Sequence, residues 1–337
     1  MSMIPESLFT PQTNDWKLSL SRAFRRQADL LEYCELDVNG TTHGSETDFP
    51  VRVTRYYASL IEKGNAKDPL LLQVLADKRE QQSVPGYSLD AVGDMAAMKA
   101  PGLIHKYHSR VLLTVTGACP IHCRYCFRRH FPYSDSSPDL QLHSEVMSYL
   151  SSHREINEVI LSGGDPLMLS DQKLSSLIRQ LNQLSHIRYL RIHSRLLSVL
   201  PERINPELVA VFSRFRGKVI FVTHINHPQE LSGVNAQSLQ LLSAQGFQLF
   251  NQSVLLKEVN DSAAVLAELS YRLFDYQIIP YYLHKLDKVQ GAAHFDLPDE
   301  RLCAIYRELC ARLPGYLTPK FVNELSGRTS KTPVQCF

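Results

Sequence analysis

From Arg110 onward the chain alternates two kinds of hydrophobic pattern. Short β-rich runs occupy Arg110–Thr116, Glu158–Ser162, Tyr189–His193, Val219–Thr223, Gln248–Leu255 and Gln277–Leu283. Between them apolar residues recur at helical spacing, as in Leu174, Leu177, Ile178 and Leu181. A second stripe, Leu302, Ile305, Leu309 and Leu313, opens behind Pro298 and closes before Pro314 and Gly315, residues that bound helices. Strands roughly 30 residues apart have the spacing of βα units, which build parallel sheets with right-handed crossovers. Six such units are too few for an eightfold barrel. They can curl into a partial barrel, and an open doubly wound sheet is the alternative that periodicity leaves standing. Upstream the pattern is weaker. Gln27–Leu36 and Tyr56–Lys63 read as short amphipathic helices joined by polar loops. We expect a helical extension over residues 1–95 and an α/β domain over residues 96–337.

Parallel α/β folds place their chemistry at the carboxyl ends of the strands. At those ends stand a cysteine cluster, Ser162-Gly163-Gly164-Asp165-Pro166, Ser194-Arg195, His224-Ile225-Asn226-His227, Asn251-Gln252 and His284-Lys285-Leu286-Asp287. Polar and titratable groups thus recur at one end of nearly every unit, which points to an enzyme. Composition narrows the class further. Of 337 residues, 44% are hydrophobic and 21% charged, ordinary for a globular chain. Thirty-six basic against 34 acidic residues leave a net charge of +2, so nothing global calls for nucleic acid or a membrane surface. The N-terminal stretch lacks a signal-peptide core and no long apolar run follows, so a cytoplasmic protein is expected.

The seven cysteines are an odd number, three of them within Cys119-Pro-Ile-His-Cys123-Arg-Tyr-Cys126. In a cytoplasmic chain this pattern reads as metal binding or catalysis rather than a disulfide frame. Three close thiolates can hold one soft metal centre and leave a position open for chemistry. The alternatives are a Cys3His zinc site completed by His122 or His130, or unligated thiols. Cys303 and Cys310, seven apart on one helix, read as core.

A C-x3-C-x2-C run after the first strand of a βα series resembles the radical S-adenosylmethionine (SAM) enzymes. The stretches Pro101–Tyr107, Cys119–Arg129, Ser162–Leu167, Thr223–Pro228, Asn251–Leu256, Pro280–Phe295 and Lys331–Val334 are similar to the lysine 2,3-aminomutases. Within that family Cys126-Phe-Arg-Arg-His-Phe-Pro-Tyr133 and Leu286-Asp-Lys-Val-Gln-Gly-Ala-Ala-His-Phe295 look like the short branch that supplies (R)-β-lysine for modifying elongation factor P. The resemblance implies a partial (β/α)6 barrel of the TIM type. It implies conversion of L-lysine to (R)-β-lysine by a 5′-deoxyadenosyl radical with help from pyridoxal 5′-phosphate (PLP). A flavodoxin as electron donor, a β-lysine ligase and elongation factor P are the implied partners.

The resemblance also assigns roles. Cys119, Cys123 and Cys126 would hold a [4Fe–4S] cluster whose remaining iron binds SAM. Ser162, Gly163, Gly164 and Asp165 would receive the SAM amino group, with Ser194, His224, Asn251 and Gln252 lining the same pocket. The glycines would let the backbone approach the ligand. Lys331 would hold PLP covalently, with Arg110 as phosphate partner. Arg128 would bind the substrate carboxylate, its fork suiting bidentate pairing. Asp287 and Glu324 would hold the lysine ε-ammonium; Glu324 stands where the longer enzymes have an aspartate. Other readings are the same cofactors acting on arginine, glutamate or peptide-bound lysine, and a non-catalytic zinc or electron-transfer protein. Two like charges facing a side-chain carboxylate argue against glutamate.

Overall fold

A computed structural model describes residues 15–37, 49–133 and 144–337. Its strands, in chain order, are β1 (Met98–Ala100), β2 (Leu103–Tyr107), β3 (Arg110–Thr116), β4 (Glu158–Gly163) and β5 (Tyr189–Ser194). They continue with β6 (Lys218–Thr223), β7 (Gln248–Val254), β8 (Ile279–His284), β9 (Lys320–Asn323) and β10 (Thr332–Pro333). All lie in one sheet whose spatial order is the chain order. β3 to β9 pair in parallel, while β1, β2 and β10 close the two edges as antiparallel additions. A doubly wound sheet would reverse its order at a switch point. This sheet never does, so it is the wall of a partial barrel.

The expected strands are present with shifted ends. The strand expected from Gln277 begins at Ile279, because Gln277 takes a left-handed φ of 62° that no strand residue adopts. β9 adds a seventh parallel strand that the periodicity missed, since four residues carry no readable alternation. The helix expected over Gln27–Leu36 stops at Tyr33, where Glu35 turns left-handed at φ 58° and Leu36 N–H bonds back to Leu31 O at 3.0 Å. Upstream of the barrel, Thr54 caps a one-turn helix, Arg55–Ser59, shorter than the expected Tyr56–Lys63.

Strand alternation sorts the residues into two sets. Val111, Leu113, Val159, Leu161, Leu190, Ile192, Val219 and Phe221 face outward and are buried against the helices. These include Leu174, Leu177, Ile178 and Leu181 of the helix Asp171–Leu181. Phe24, Leu30, Leu31, Val53, Tyr57, Leu70, Leu71 and Val74 of the N-terminal layer join the same buried cluster. The other set lines a central cavity instead of filling it: Arg110, Leu112, Glu158, Ile160, Arg191, His193, Val222, Phe250, Gln252, Tyr282 and His284. Barrels of this kind usually pack that space with branched apolar side chains. Here it is hollow, with charged side chains set among apolar ones.

One cysteine expectation is corrected. Cys303 is not a lone core thiol but is disulfide-bonded to Cys336, tying the helix Asp299–Arg312 to the segment beyond β10. A separation of 33 residues along the chain hides that pairing from any spacing argument. Among the described residues no helix is long and apolar enough to cross a membrane.

Candidate active site

The cysteine loop leaves β3 at the barrel mouth, where Ala118 N–H donates to Thr116 Oγ1 at 3.1 Å. Cys119, Cys123 and Cys126 all line the cavity, and a turn closed by Cys126 N–H to Cys123 O at 3.0 Å brings the last two together. Arg124, between them, turns away into the N-terminal layer, where Glu80 takes both it and Arg129 in a buried ion pair. Burial pushes the Cys126 thiol up to about 11 and the Cys119 thiol well above its usual value. Such thiols become thiolates only when a metal takes the proton's place. Both candidate zinc-completing histidines are turned elsewhere. His122 stacks on Phe49 with Nδ1 2.8 Å from Pro50 O, and His130 Nε2 lies 3.1 Å from Gln290 O. Among the described residues no three His, Cys, Asp or Glu side chains gather as ligands of one ion. Thiolates that each hold a separate iron of a cluster need no such convergence. The donor set therefore fits an iron–sulfur cluster better than zinc.

At the end of β4 the two glycines serve packing. A Cβ on Gly163, which has φ 116°, would lie 2.4 Å from Thr116 O, and one on Gly164 would lie 2.3 Å from Ala118 O. The atoms that approach so closely belong to the end of β3 and the start of the cysteine loop, while both glycines also line the cavity. Asp165 then ties this loop to the end of β5. Its carboxylate accepts from Leu167 N–H at 3.1 Å, Ser194 Oγ at 2.9 Å and Arg195 N–H at 2.8 Å. Burial raises its pKa to about 6 against the lowering effect of those bonds.

Ser194 and Asn251 do not line the cavity. Ser194 holds Asp165, while Asn251 accepts from Thr223 Oγ1 and Ile225 N–H, each at 2.9 Å, and fixes the loop that carries His224. His224 does line it, with Gln252 Nε2 2.8 Å from its Nε2. Burial lowers the His224 pKa to about 3, so the ring stays neutral and accepts that bond. Arg110 lines the floor with its guanidinium 4.3 Å over the Tyr107 ring, and no carboxylate among the described residues pairs with it.

The remaining predicted residues belong to a line of alternating charges. Arg128 Nε donates to Asp94 at 2.7 Å and its NH1 to Ser162 Oγ at 3.0 Å. Asp94 also pairs with Lys106 at 2.6 Å, Lys106 reaches Glu324 at 3.3 Å, and the other Glu324 oxygen holds Lys331 at 2.5 Å. Burial opposes ionisation of Glu324, but Lys331 and Lys106 outweigh it and hold its pKa at about 2. Asp287 stands nearby with Oδ1 buried and unpartnered, its pKa raised to about 7 by burial and by Glu324. A carboxylate held ionised by two lysines and a buried carboxyl protonated below neutral pH thus stand close together.

Sequence reasoning gave no role to Asp94, Lys106, His193 or Arg195, although Arg195 stood in a strand-end pair. Arg195 is buried with NH1 on Cys123 Sγ at 2.7 Å and NH2 on Gln73 Oε1 at 2.8 Å and Glu230 Oε2 at 3.2 Å. Lys106 lay within a quoted motif, and a lysine inside the strand run Leu-Ile-His-Lys-Tyr was the available signal. Cysteines, glycine loop, Arg110, Arg128, His224, Gln252, Asp287, Glu324 and Lys331 share one cavity of about 670 Å³. That lies in the upper range of small-molecule sites.

Residues 113–230 match the model of the radical SAM superfamily. The chain is 44% identical to an L-lysine 2,3-aminomutase of Escherichia coli over 97% of its length and 96% of that protein. It is 41% identical to the Haemophilus influenzae enzyme of that name, covering 98% of this chain and 99% of that one. Against the Clostridium subterminale enzyme identity is 34%, over 95% of this chain and 78% of the longer relative.

Proposed function

The chain belongs to the lysine 2,3-aminomutase family of radical SAM enzymes, and from that premise we propose how its cavity moves the amino group of L-lysine from C2 to C3. The observation that carries the reading is the meeting of three cysteines, Lys331 and a carboxyl pair in one cavity. The enzymes of this family work with a [4Fe–4S] cluster, SAM and PLP: the first two supply a carbon radical, and PLP supplies the π system across which nitrogen migrates. Cys119, Cys123 and Cys126 would hold the cluster and Lys331 the PLP, with the unpaired Arg110 toward its phosphate. Ser162, Gly163, Gly164 and Asp165 would shape the SAM end. His224 and Gln252 would border it, with Ser194 and Asn251 acting through the loops they fix.

Arg128 would bind the substrate α-carboxylate. Asp94 occupies its Nε and Ser162 Oγ one proton of NH1, which leaves NH2 and the other NH1 proton for a two-point contact. Asp287 and Glu324 would receive the ε-ammonium. With Lys331 engaged elsewhere, Glu324 would keep Lys106 on one oxygen and have the other free for a ligand cation. A neutral His224 and the buried wall around it keep water and competing charge from the reacting carbons. Product of (R) configuration, service to elongation factor P through a β-lysine ligase, reduction by a flavodoxin and a cytoplasmic setting complete the proposal.

Anaerobic incubation with lysine, SAM, PLP and a reductant tests it, with chiral separation of the products. (R)-β-lysine should accumulate, and Cys119→Ala should lose iron and SAM cleavage while Lys331→Ala keeps iron and loses the covalent PLP absorbance. Protein loaded with iron and PLP that leaves lysine unchanged would defeat the reading.

A further inference from the structure

We propose that Asp94 and Lys106 form a spacer that sets the length of amino acid the cavity accepts. The inference rests on the reading of Arg128 as the carboxylate receptor and of Asp287 with Glu324 as the ammonium receptor. Those two receptors come from distant parts of the chain, and residues in contact with both fix their separation. Asp94, its side chain only 3% exposed, grips Arg128 Nε at 2.7 Å with one oxygen and Lys106 at 2.6 Å with the other. Lys106 continues to Glu324 at 3.3 Å and is anchored from behind by Val92 O at 2.8 Å.

Each bond of the spacer is charge-assisted, and all four groups in it, Arg128, Asp94, Lys106 and Glu324, line the cavity. A buried carboxylate with two cations has little freedom to move, because any displacement leaves a desolvated charge unpaired. The Arg128-to-Glu324 distance is therefore spanned by three ion pairs in series, at 2.7, 2.6 and 3.3 Å. A diamino acid one methylene shorter than lysine can satisfy one receptor or the other but not both. Asp94 and Lys106 touch the receptors rather than the reacting atoms, so they are positioning residues for selectivity.

The test uses PLP-loaded full-length protein without SAM, so that nothing turns over, and measures equilibrium binding of L-lysine and L-ornithine by calorimetry. Both ligands present the same α-amino and α-carboxylate groups, so their ratio isolates the far end. One methylene is worth roughly 10- to 200-fold where a site discriminates it. Wild type should favour lysine within that range. Lys106→Gln and Asp94→Asn should each weaken lysine at least about tenfold and bring the two ligands to within about threefold of each other. Lys106→Arg, which keeps a cation of similar reach, should retain most of the preference. If Asp94→Asn fails to fold, the two Lys106 variants decide alone.

An unchanged lysine-to-ornithine ratio in Lys106→Gln would overturn the spacer. The underlying reading fails separately: Arg128→Lys and Asp287→Asn would then leave lysine affinity untouched.

Discussion

Two carboxyl groups in one cavity titrate in opposite directions because their neighbours differ. Lys331 and Lys106 hold Glu324 ionised, down to about 2, whereas Asp287, buried with one oxygen unpartnered, is raised to about 7. Below neutral pH the ligand-free pair therefore carries about one negative charge, and Asp287 adds to it as pH rises through about 7. A substrate ammonium placed between them favours ionised Asp287, so binding lowers that pKa and releases a proton wherever pH lies below about 7. Lysine affinity should rise by up to about tenfold per pH unit as neutrality is approached from below, then level off. The groups that face Asp287 are Glu324, Lys331, Lys106 and Asp94. Calorimetry in two buffers of different ionisation enthalpy would read the proton directly, with Asp287→Asn as reference. Identical proton release by wild type and variant would assign the pKa elsewhere. At this scale the sequence exposed the residues that stand in motifs at strand ends. The roles of Asp94 and Arg195 escaped it because they lie in partners far along the chain: Arg128 is 34 residues from Asp94, and Cys123 is 72 from Arg195.

At the scale of elements, the six long strands were legible because apolar runs and helical stripes alternate without interruption. β9 was not, and neither was the start of β8, which depends on the left-handed backbone of Gln277. The disulfide between Cys303 and Cys336 lay hidden because tertiary folding alone brings the two together. The glycine loop was legible as a motif, but its packing role was not. Its glycines let the end of β4 press against the backbone at the end of β3 and the start of the cysteine loop, which couples these two stretches at the cavity. Gly163→Ala would set a methyl 2.4 Å from Thr116 O at φ 116°, a conformation that alanine resists. Strain of this kind is worth about 1–3 kcal/mol. We expect a melting temperature several degrees lower, and iron loading that falls with it because Thr116 leads into Cys119. A variant with normal iron content and unchanged melting would show that the loop yields without strain.

Across the whole molecule, the N-terminal layer and the barrel share one core and one charged joint. Phe24, Val53, Tyr57 and Leu70 of the layer lie in the same buried cluster as the outward faces of β3 to β7. The joint is Glu80, which stands in the short turn Lys78–Gln81 and is 6% exposed. Burial opposes its ionisation, but Arg124 and Arg129 prevail and lower its pKa. Both arginines belong to the cysteine loop, Arg124 between Cys123 and Cys126 and Arg129 just beyond them. Glu80 thus clamps from outside the loop whose thiols line the cavity inside. Removing the carboxylate leaves two guanidinium groups buried without it, and breaking a buried pair typically costs about 3–5 kcal/mol. Against a total stability of about 5–15 kcal/mol for a folded domain, that is a large fraction. Glu80→Ala should therefore lower the melting temperature markedly and reduce iron loading together with it. Glu80→Gln, which keeps the volume but not the charge, should fall between wild type and alanine. The decisive measurement is unfolding followed by two probes, tryptophan fluorescence from Trp16 in the layer and far-ultraviolet dichroism of the whole chain. One coincident transition, displaced equally in both probes by Glu80→Ala, is expected of a layer and barrel that stand or fall as a unit. Two separated transitions, with iron loading unaffected by the substitution, would mean that the layer is an appendage and that the barrel holds its cysteines alone.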